Sequence, residues 1–322
     1  MNRFLAGLIL LGHVLGHPVR AQQLELRFLN VGQADAVLVR EGGKTALIDA
    51  GGGAGVLAQL RALGIDTIDL LVASHNHSDH IGGMTSVLGG TVVRFYLDNG
   101  LPHTTAMYQR TIQAVTASGA QYLRPTARTI TLGTARLRVL PPPANSGSQN
   151  NSSVGILIQY GEFRAVLTGD SELPELQYWL EHDSIPPVTV VKVAHHGSRN
   201  GTSPEWIEAT RPQVAVISVG RRNSYGHPST AVIEAWEGAG ATVYRTDRDG
   251  AVIVQANRDG SYVVLKETPG LTDPGRKPGV EQTQPAGACC RTCTTGKACG
   301  NSCISRRYQC RQPPGCACDA KQ

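Results

Sequence analysis

The feature that most constrains this chain is a dense group of metal-ligand side chains directly after a buried strand. Residues 67–73 have the apolar composition of such a strand. Four ligand-type side chains follow within six residues of one another, namely His75, His77, Asp79 and His80. Burying three imidazoles and a carboxylate side by side is costly unless a cation organises them. The segment therefore predicts a metal site at the carboxyl end of a strand, where α/β sheets place their ligands.

Two further strand ends carry the same kinds of side chain. Asp170 follows the predicted strand at residues 163–168, and His195 and His196 follow the strand at residues 190–194. Taken alone, Asp170 would also suit a turn in which it caps the next helix. Beside four ligands in one loop, however, a carboxylate is needed to bridge two cations. We therefore expect six metal ligands: His75, His77, Asp79, His80, Asp170 and His196.

The remainder of residues 22–267 has the pattern of an α/β domain. Hairpin-like strands come first, and helical and extended segments then alternate up to three short closing strands. This order predicts mixed sheets that are covered by helices. The domain holds 20 basic and 22 acidic residues, so its net charge does not indicate nucleic-acid binding.

The first 21 residues have the features of an export signal. Arg3 precedes an apolar run at residues 4–11, and small residues end the segment at Ala21. The run is too short to cross a bilayer comfortably, which takes about 20 apolar residues. We expect residues 1–21 to be a cleaved signal peptide, and the mature protein to be periplasmic or secreted with no transmembrane span.

All eight cysteines lie in a basic segment at residues 289–322, beyond a Pro/Gly-rich linker at residues 268–288. An even number of cysteines in a short exported segment predicts a disulfide framework. A zinc knuckle that includes Cys290 and Cys293 is the alternative, although the segment contains no histidine. This Cys-rich module is expected to bind a polyanion or the cell surface, or to be only a solvated disulfide knot.

The motifs of residues 24–266 resemble the metallo-β-lactamase superfamily and, more narrowly, the hydrolase domain of the ComEC competence proteins. The resemblance implies an α/β fold of four layers, an αββα sandwich with a dinuclear site at one edge, and a phosphodiester substrate that includes DNA. It rests on the following segments in this order: Asn-Val-Gly-Gln-Ala-Asp at 30–35, His-x-His-x-Asp-His at 75–80, Asn-Asn-Ser-Ser-Val at 150–154, Leu-Thr-Gly-Asp at 167–170, His-His-Gly-Ser at 195–198, and Arg-Asn-Ser-Tyr-Gly-His-Pro-Ser at 222–229.

Two departures from the resemblance bear on function. ComEC proteins carry this domain beside a membrane channel, whereas this chain has a predicted signal and a Cys-rich module instead. Many superfamily members also supply a third histidine to the first metal, but the only histidine in that interval is His103, which we do not expect to bind. Water or the amide of Asn151 would complete the site, which makes Mn²⁺ as plausible as Zn²⁺.

The expected mechanism uses two divalent cations, Zn or Mn, that lower the pKa of a bridging water to about 7 and provide a hydroxide nucleophile. The catalytic group comprises Asp79, His195, which orients or handles a proton, and His227, which protonates the leaving oxygen. Three small donors in glycine-rich loops, Asn151, Ser153 and Ser198, are expected to hold a phosphate oxygen, although each also suits a plain turn. Asp49 is expected to orient the first loop.

The sequence therefore predicts an exported metal-dependent hydrolase, in first place a phosphodiesterase or nuclease. Two alternatives stay open. One is a phosphodiesterase that acts on cell-wall or lipid headgroup esters, because the domain offers no evident basic channel for DNA. The other is a non-catalytic surface-binding protein whose metal only stabilises the fold.

Overall fold

The computed structural model describes residues 23–267, 291–294, 297–299, 302–304 and 317–319. The predicted signal at residues 1–21 and the predicted linker at residues 268–288 lie outside these ranges. The chain divides into two units, residues 1–274 and residues 275–322, and each is described by itself.

The first unit contains a sheet of eight strands in the spatial order β15-β14-β1-β2-β3-β4-β5-β6. Its first half is antiparallel, and β3 to β6 run parallel. The strands are β1 Leu24–Phe28, β2 Val37–Glu41, β3 Lys44–Ile48, β4 Thr67–Val72, β5 Val92–Leu97, β6 Gln121–Leu123, β14 Ala251–Ala256 and β15 Tyr262–Glu267.

A second sheet of seven strands has the order β13-β12-β11-β10-β9-β8-β7. Strands β10 to β13 are parallel, and β7 to β10 are antiparallel. The strands are β7 Arg128–Leu132, β8 Ala135–Leu140, β9 Gly155–Tyr160, β10 Phe163–Leu167, β11 Val190–Lys192, β12 Val214–Ile217 and β13 Thr242–Arg245.

Within residues 23–267, eight α-helices connect these strands. They are α1 Gly55–Ala62, α2 Ser78–Ile81, α3 Met84–Gly90, α4 Ala106–Ser118, α5 Leu173–His182, α6 Pro204–Thr210, α7 Thr230–Gly238 and α8 Thr246–Asp249. Short 3₁₀ segments lie at Asn150–Ser152, Ala194–Gly197 and Arg199–Gly201.

Three apolar clusters define the layers. The central cluster joins inward residues of both sheets, such as Phe28 and Val72 from one and Ile156 and Val216 from the other. A second cluster packs α1, α3 and α4 on the outer face of the first sheet. The third places Trp179, Trp206 and Trp236 of α5, α6 and α7 on the outer face of the second. The predicted αββα sandwich is therefore confirmed.

The layering decides where a site can form. The parallel strands β3, β4, β10, β11 and β12 all leave their sheets into loops that bear polar side chains, and these loops meet at one rim of the sandwich. Carboxyl ends of parallel strands share one edge of a sheet, so the predicted ligand segments are brought together by topology rather than by sequence proximity.

The second unit consists of short paired strands and a disulfide in the residues that are described. β16 Arg291–Cys293 pairs in parallel with β19 Ala317–Asp319, and β17 Lys297–Cys299 pairs with β18 Ser302–Ile304. Cys293 is bonded to Cys303, and Cys318 is disulfide-bonded too. A disulfide at Cys293 supports the predicted framework over a zinc knuckle, because the sulfur is no longer available as a thiolate ligand.

Across the described ranges, the longest helices fall well short of the length and apolar character that a bilayer-crossing helix requires.

Candidate metal centre

Four predicted ligands converge at the rim of the sandwich. One donor atom each from Asp79, His80, Asp170 and His196 lies within 4.8 Å of all the others. Asp170 Oδ2 is 3.2 Å from His80 Nε2 and 3.5 Å from His196 Nε2. Asp79 and His80 lie in α2, Asp170 follows β10 and His196 follows β11, so the cluster joins the two sheets.

His75 and His77 form a second, adjoining pair. His75 Nε2 is 3.0 Å from His77 Nδ1, and the His75 ring centroid is 4.1 Å from that of His80. Burial in the first place, and then the charge of His80, hold the pKa of His75 well below its ordinary value. A neutral imidazole with a free ring nitrogen is the form that binds metals.

The loop after β4 is fixed by Asp49 at the end of β3. The Asp49 carboxylate accepts hydrogen bonds from the Ser74 amide at 2.7 Å and the Ser74 hydroxyl at 2.8 Å. Its Oδ2 also lies 2.8 Å from His80 Nδ1, which leaves His80 Nε2 directed at Asp170. Asp49 thus makes the orienting contacts expected of it, in the manner of carboxylates behind metal-binding histidines.

A buried lysine lies beside the cluster and was missed in the sequence. Lys192 in β11 is 1% exposed, forms an ion pair with Asp35, and donates a hydrogen bond to the Gly169 carbonyl at 2.7 Å. Its Nζ is 3.8 Å from Asp170 Oδ1. A lysine within an apolar strand is the signal that could have identified it, because a buried ammonium needs a partner.

The electrostatics of the cluster are dominated by excess negative charge. Lys192 pairs with Asp35 and lies near Asp170, whereas Asp49 lies against His80 and Asp79 against His196. Burial alone lowers the pKa of His80, but the carboxylates of Asp170 and Asp49 outweigh it and raise that pKa well above the ordinary value. A cation bound at His80 would compete with this proton.

His195 and His196 adopt a backbone conformation that is rare for residues other than glycine. Their φ angles are 48° and 52°, in the left-handed region, and Gly197 follows with φ 79°. The turn directs His196 Nδ1 to the Ser218 carbonyl at 2.8 Å and His196 Nε2 to Asp79 Oδ2 at 3.3 Å. Strain of this kind is retained where the site requires it.

Glu172, at the start of α5, organises the opposite side of the site. Its carboxylate accepts hydrogen bonds from the side-chain amides of Asn150, Asn151 and Asn200 at 3.0, 3.1 and 2.8 Å. Oε1 is also 3.5 Å from Nδ1 of His195, whose Nε2 lies 3.9 Å from Asp170 Oδ2. The sequence analysis assigned no role to Glu172, because only the fold brings three loops to it.

The predicted phosphate-binding residues occupy different surroundings. Both side-chain atoms of Asn151 are engaged with Glu172, since its Oδ1 accepts the Glu172 amide at 3.2 Å. Ser153 is fully buried and its hydroxyl donates to the Asn150 carbonyl at 2.8 Å. Ser198 lines a cavity with His227. A role for these three in holding phosphate stays a prediction, with Ser198 the best placed of them.

Two further histidines flank the cluster. The His227 ring centroid is 5.7 Å from that of His195, and burial, followed by the charges of His195 and His196, lowers the pKa of His227. A substrate phosphate beside this ring would favour its protonated form. His103 lies 6.5 Å from His77 between ring centroids, and its Nδ1 is 3.0 Å from the Thr105 hydroxyl.

Comparison with known proteins agrees with this geometry. The family model of the metallo-beta-lactamase superfamily matches residues 29–221. The chain belongs to this superfamily. The fold and the cluster of donor side chains are thus those of a metallo-hydrolase of this superfamily. The resemblance seen in the sequence is confirmed.

Curated relatives include competence proteins. ComE operon protein 3 of Bacillus subtilis is 29% identical over 259 residues, which cover 72% of this chain and 33% of that protein. Recombination protein 2 of Haemophilus influenzae is 29% identical over 221 residues, covering 64% and 25%. This chain thus spans about a third or less of the length of these two relatives. Among solved structures, the metallo hydrolase Igni18 of Ignicoccus hospitalis is 18% identical; the match covers 76% of this chain and 100% of Igni18, with a TM-score of 0.48.

Proposed function

We propose that this protein is an exported metal-dependent phosphodiesterase that cleaves nucleic acid. The observation that carries the proposal is the convergence of Asp79, His80, Asp170 and His196 within 4.8 Å, beside the pair of His75 and His77. Imidazole and carboxylate donors of this kind suit Zn²⁺ and Mn²⁺. Curated relatives that are named as competence and recombination proteins support our choice of nucleic acid as the substrate.

The residues present fit two divalent cations. The His80 Nε2 and Asp170 Oδ1 atoms are buried without a hydrogen-bond partner, as expected of donor atoms reserved for a cation. His75 and His77 would hold one ion, Asp79, His80 and His196 the other, and Asp170 would bridge the two. When bound, such ions supply Lewis acidity and an acidified water to phosphodiester hydrolysis.

The surrounding residues would prepare the site for this reaction. Asp49 holds the His80 ring through Nδ1, and the Ser218 carbonyl holds the His196 ring in the same way, so that both Nε2 atoms face the centre. Lys192 balances part of the carboxylate charge and fixes the Gly169 carbonyl next to Asp170. His227, on the cavity side of His195, would hold the proton that the leaving oxygen takes up.

Substrate panels with variants test the proposal. The protein is loaded with Mn²⁺ or Zn²⁺ and given methyl p-nitrophenyl phosphate, single-stranded DNA, duplex DNA and a choline phosphodiester. We expect hydrolysis of the chromogenic ester and of DNA. In Asp170→Asn the rate of hydrolysis should fall by more than about 100-fold, which exceeds the loss typical of a residue that only supports a metal ligand. His182→Ala, an exposed histidine on α5, serves as the matched control.

Other outcomes would assign another function. Hydrolysis of the choline ester without DNA cleavage would favour a headgroup or cell-wall phosphodiesterase. Metal-dependent melting without turnover of any ester would indicate a binding protein. Phosphodiester cleavage that persists in Asp170→Asn would contradict the proposed site.

The proposal of export rests on two features. Residues 1–21 have the pattern of a signal peptide, and the Cys293–Cys303 disulfide is a bond that persists in oxidising compartments. Expression of the full chain in a bacterial host, followed by mass spectrometry of the N-terminus, tests it. We expect a mature chain that begins at Gln22 in the periplasmic fraction, and an intact Met1 in the cytoplasm would contradict export.

A further inference from the structure

A cavity of about 420 Å³ adjoins the metal centre on the side of His195. Its lining combines polar and aromatic groups from the loop after β11 and the loop before α7, and includes Ser198, Arg199, Tyr225, His227, Ser229 and Thr230. His227 connects the cavity to the centre, because its ring lies 5.7 Å from that of His195, which neighbours Asp170. A substrate whose phosphate reaches Asp170 would therefore extend into this cavity.

Tyr225 presents an open aromatic face at the mouth of the cavity. At 71% exposure it is the most exposed large hydrophobic side chain in the part of the chain that the structure describes. Its ring stacks on His227 with 5.9 Å between centroids and 15° between planes. A nearly parallel stack leaves the outer face of Tyr225 available for another flat ring.

The loop that carries Tyr225 is held in place before any ligand arrives. The Asn223 side-chain amide donates to the carbonyls of Gly220 and His227 at 2.9 and 2.8 Å, and its Oδ1 accepts the His227 amide at 3.0 Å. Gly226 supplies a φ of 73° between the two stacked rings. A stacking surface that is already ordered loses little entropy when a ligand binds.

A cationic group lies in the same cavity. Arg199 Nε donates to the Ser229 hydroxyl at 3.1 Å, which anchors the guanidinium while its terminal nitrogens stay exposed. Over residues 23–267 no ion pair of Arg199 with a carboxylate is found. An anchored guanidinium without a carboxylate partner is suited to a phosphate, which it can bind through two hydrogen bonds.

We propose that Tyr225 and Arg199 form a nucleotide subsite, in which a base of a single-stranded nucleic acid stacks on Tyr225 and a neighbouring phosphate binds Arg199. The inference rests on the proposed phosphodiesterase function and specifies its substrate. Inside a duplex, both faces of each base are covered by neighbouring bases, so Tyr225 can stack only on an unpaired base or on a terminal pair. Base–aromatic stacking tolerates any base, so the subsite selects strandedness rather than sequence.

Binding of base-bearing and abasic strands tests the subsite. Fluorescence anisotropy measures the affinity of the Mn²⁺-loaded protein for a short phosphorothioate oligothymidylate and for an abasic strand of the same length and charge. We expect the oligothymidylate to bind about tenfold more tightly, the effect of one stacked base. Tyr225→Ala should bind both strands equally, and Tyr225→Phe should keep the preference. Arg199→Gln should weaken binding of both strands by a similar factor and flatten the salt dependence.

The outcomes separate this inference from the proposed function. Equal binding of the two strands by the unchanged protein, or no binding of either, would overturn the subsite. If Tyr225→Ala still preferred the base-bearing strand over the abasic strand, the base would bind another surface, and the subsite would be overturned as well. Turnover of methyl p-nitrophenyl phosphate by the same preparation measures the phosphodiesterase independently, so it can stand while the subsite fails.

Discussion

At the scale of single residues, Glu172 shows how a site can depend on a group outside the cluster of metal donors. It accepts three amide hydrogen bonds and lies 3.5 Å from His195 Nδ1. Glu172→Gln keeps the shape but replaces one acceptor oxygen with a donor, which then opposes the donors of Asn150, Asn151 or Asn200. We expect metal affinity and turnover to fall by about 10- to 100-fold, the loss typical when a residue that orients the metal ligands is changed.

Metal titration by calorimetry, together with turnover, measures the effect of Glu172→Gln. Glu181→Gln, at an exposed position of the same helix, is the control and should change neither quantity. If Glu172→Gln binds metal as tightly as the unchanged protein and keeps its turnover, Glu172 only joins loops and does not position the site.

Glu175 gives a second prediction at this scale, in the pH dependence of stability. Burial, the largest cause, raises the pKa of its carboxyl well above the ordinary value. A raised folded-state pKa contributes stability below the unfolded pKa, and this contribution is lost as pH rises through the folded pKa. Glu175→Gln stays neutral at every pH, so at about pH 8 it should have a higher melting temperature than the unchanged protein. Each kcal/mol gained in the free energy of unfolding should raise the melting temperature by about 2 to 4 °C.

Near pH 4 the melting temperatures of Glu175→Gln and the unchanged protein should converge, because both side chains are then neutral. Differential scanning fluorimetry across pH provides the measurement. Glu208→Gln, an exposed carboxylate on α6, should give no pH-dependent difference. A constant difference between Glu175→Gln and the unchanged protein at every pH would show that packing, and not ionisation, is responsible.

The candidate donors of the site could be proposed from the sequence more readily than the residues that support them. His75, His77, Asp79, His80, Asp170 and His196 could be proposed because each follows a recognisable strand and has the chemistry of a ligand. Asp35, Lys192 and Glu172 could not, because an isolated Asp, Lys or Glu has many ordinary uses and only long-range packing gives these three their partners. Tyr225 became informative once its exposed face was seen beside His227.

At the scale of secondary structure, long periodic segments were predictable and short connecting ones were not. Val92–Leu97 and Ala135–Leu140 have the apolar pattern of strands and Pro204–Thr210 that of a helix, so these elements can be predicted from their patterns. The helices α2 and α3 and the edge strands β6 and β7 were not foreseen. α2 and β6 have too few residues to show a periodicity, and α3 ends in two glycines, which disfavour a helix. The strand predicted at residues 190–194 ends at Lys192, because the chain turns there towards the histidines.

Gly169 shows how the end of β10 delivers Asp170 to the site. Its φ is 54°, and a Cβ there would lie 2.7 Å from the Cβ and the hydroxyl of Ser74, which hydrogen-bonds Asp49. We expect Gly169→Ala to lower the free energy of unfolding by about 1 to 3 kcal/mol and to weaken metal binding, because it displaces Ser74.

Thermal melting and metal titration measure the change at Gly169. Gly89→Ala in α3 is the contrasting control, because nothing lies within 4 Å of the added methyl group and alanine favours a helix by up to about 1 kcal/mol. Unaltered metal affinity in Gly169→Ala would show that the loop of Asp170 adapts without disturbing Ser74.

At the scale of the whole molecule, the two units are stabilised in different ways, the first by an apolar core and the second by disulfides. The first unit has a layered core with three buried tryptophans and no cysteine, whereas all eight cysteines fall at or beyond residue 289. A short segment with few apolar residues cannot bury a sufficient core and depends on covalent links. Reduction of the disulfides should therefore affect the second unit alone.

We accordingly expect a strong reductant to leave the main thermal transition and the proposed phosphodiesterase activity unchanged, because residues 1–274 contain no cysteine. The same treatment should expose the C-terminal segment to proteolysis, since Cys293–Cys303 no longer closes it. Differential scanning fluorimetry and limited trypsin digestion with mass spectrometry, with and without reductant, make the comparison. A main transition that falls on reduction would mean that the metallo-hydrolase unit depends on the Cys-rich segment for its stability, and would reject independent stabilisation.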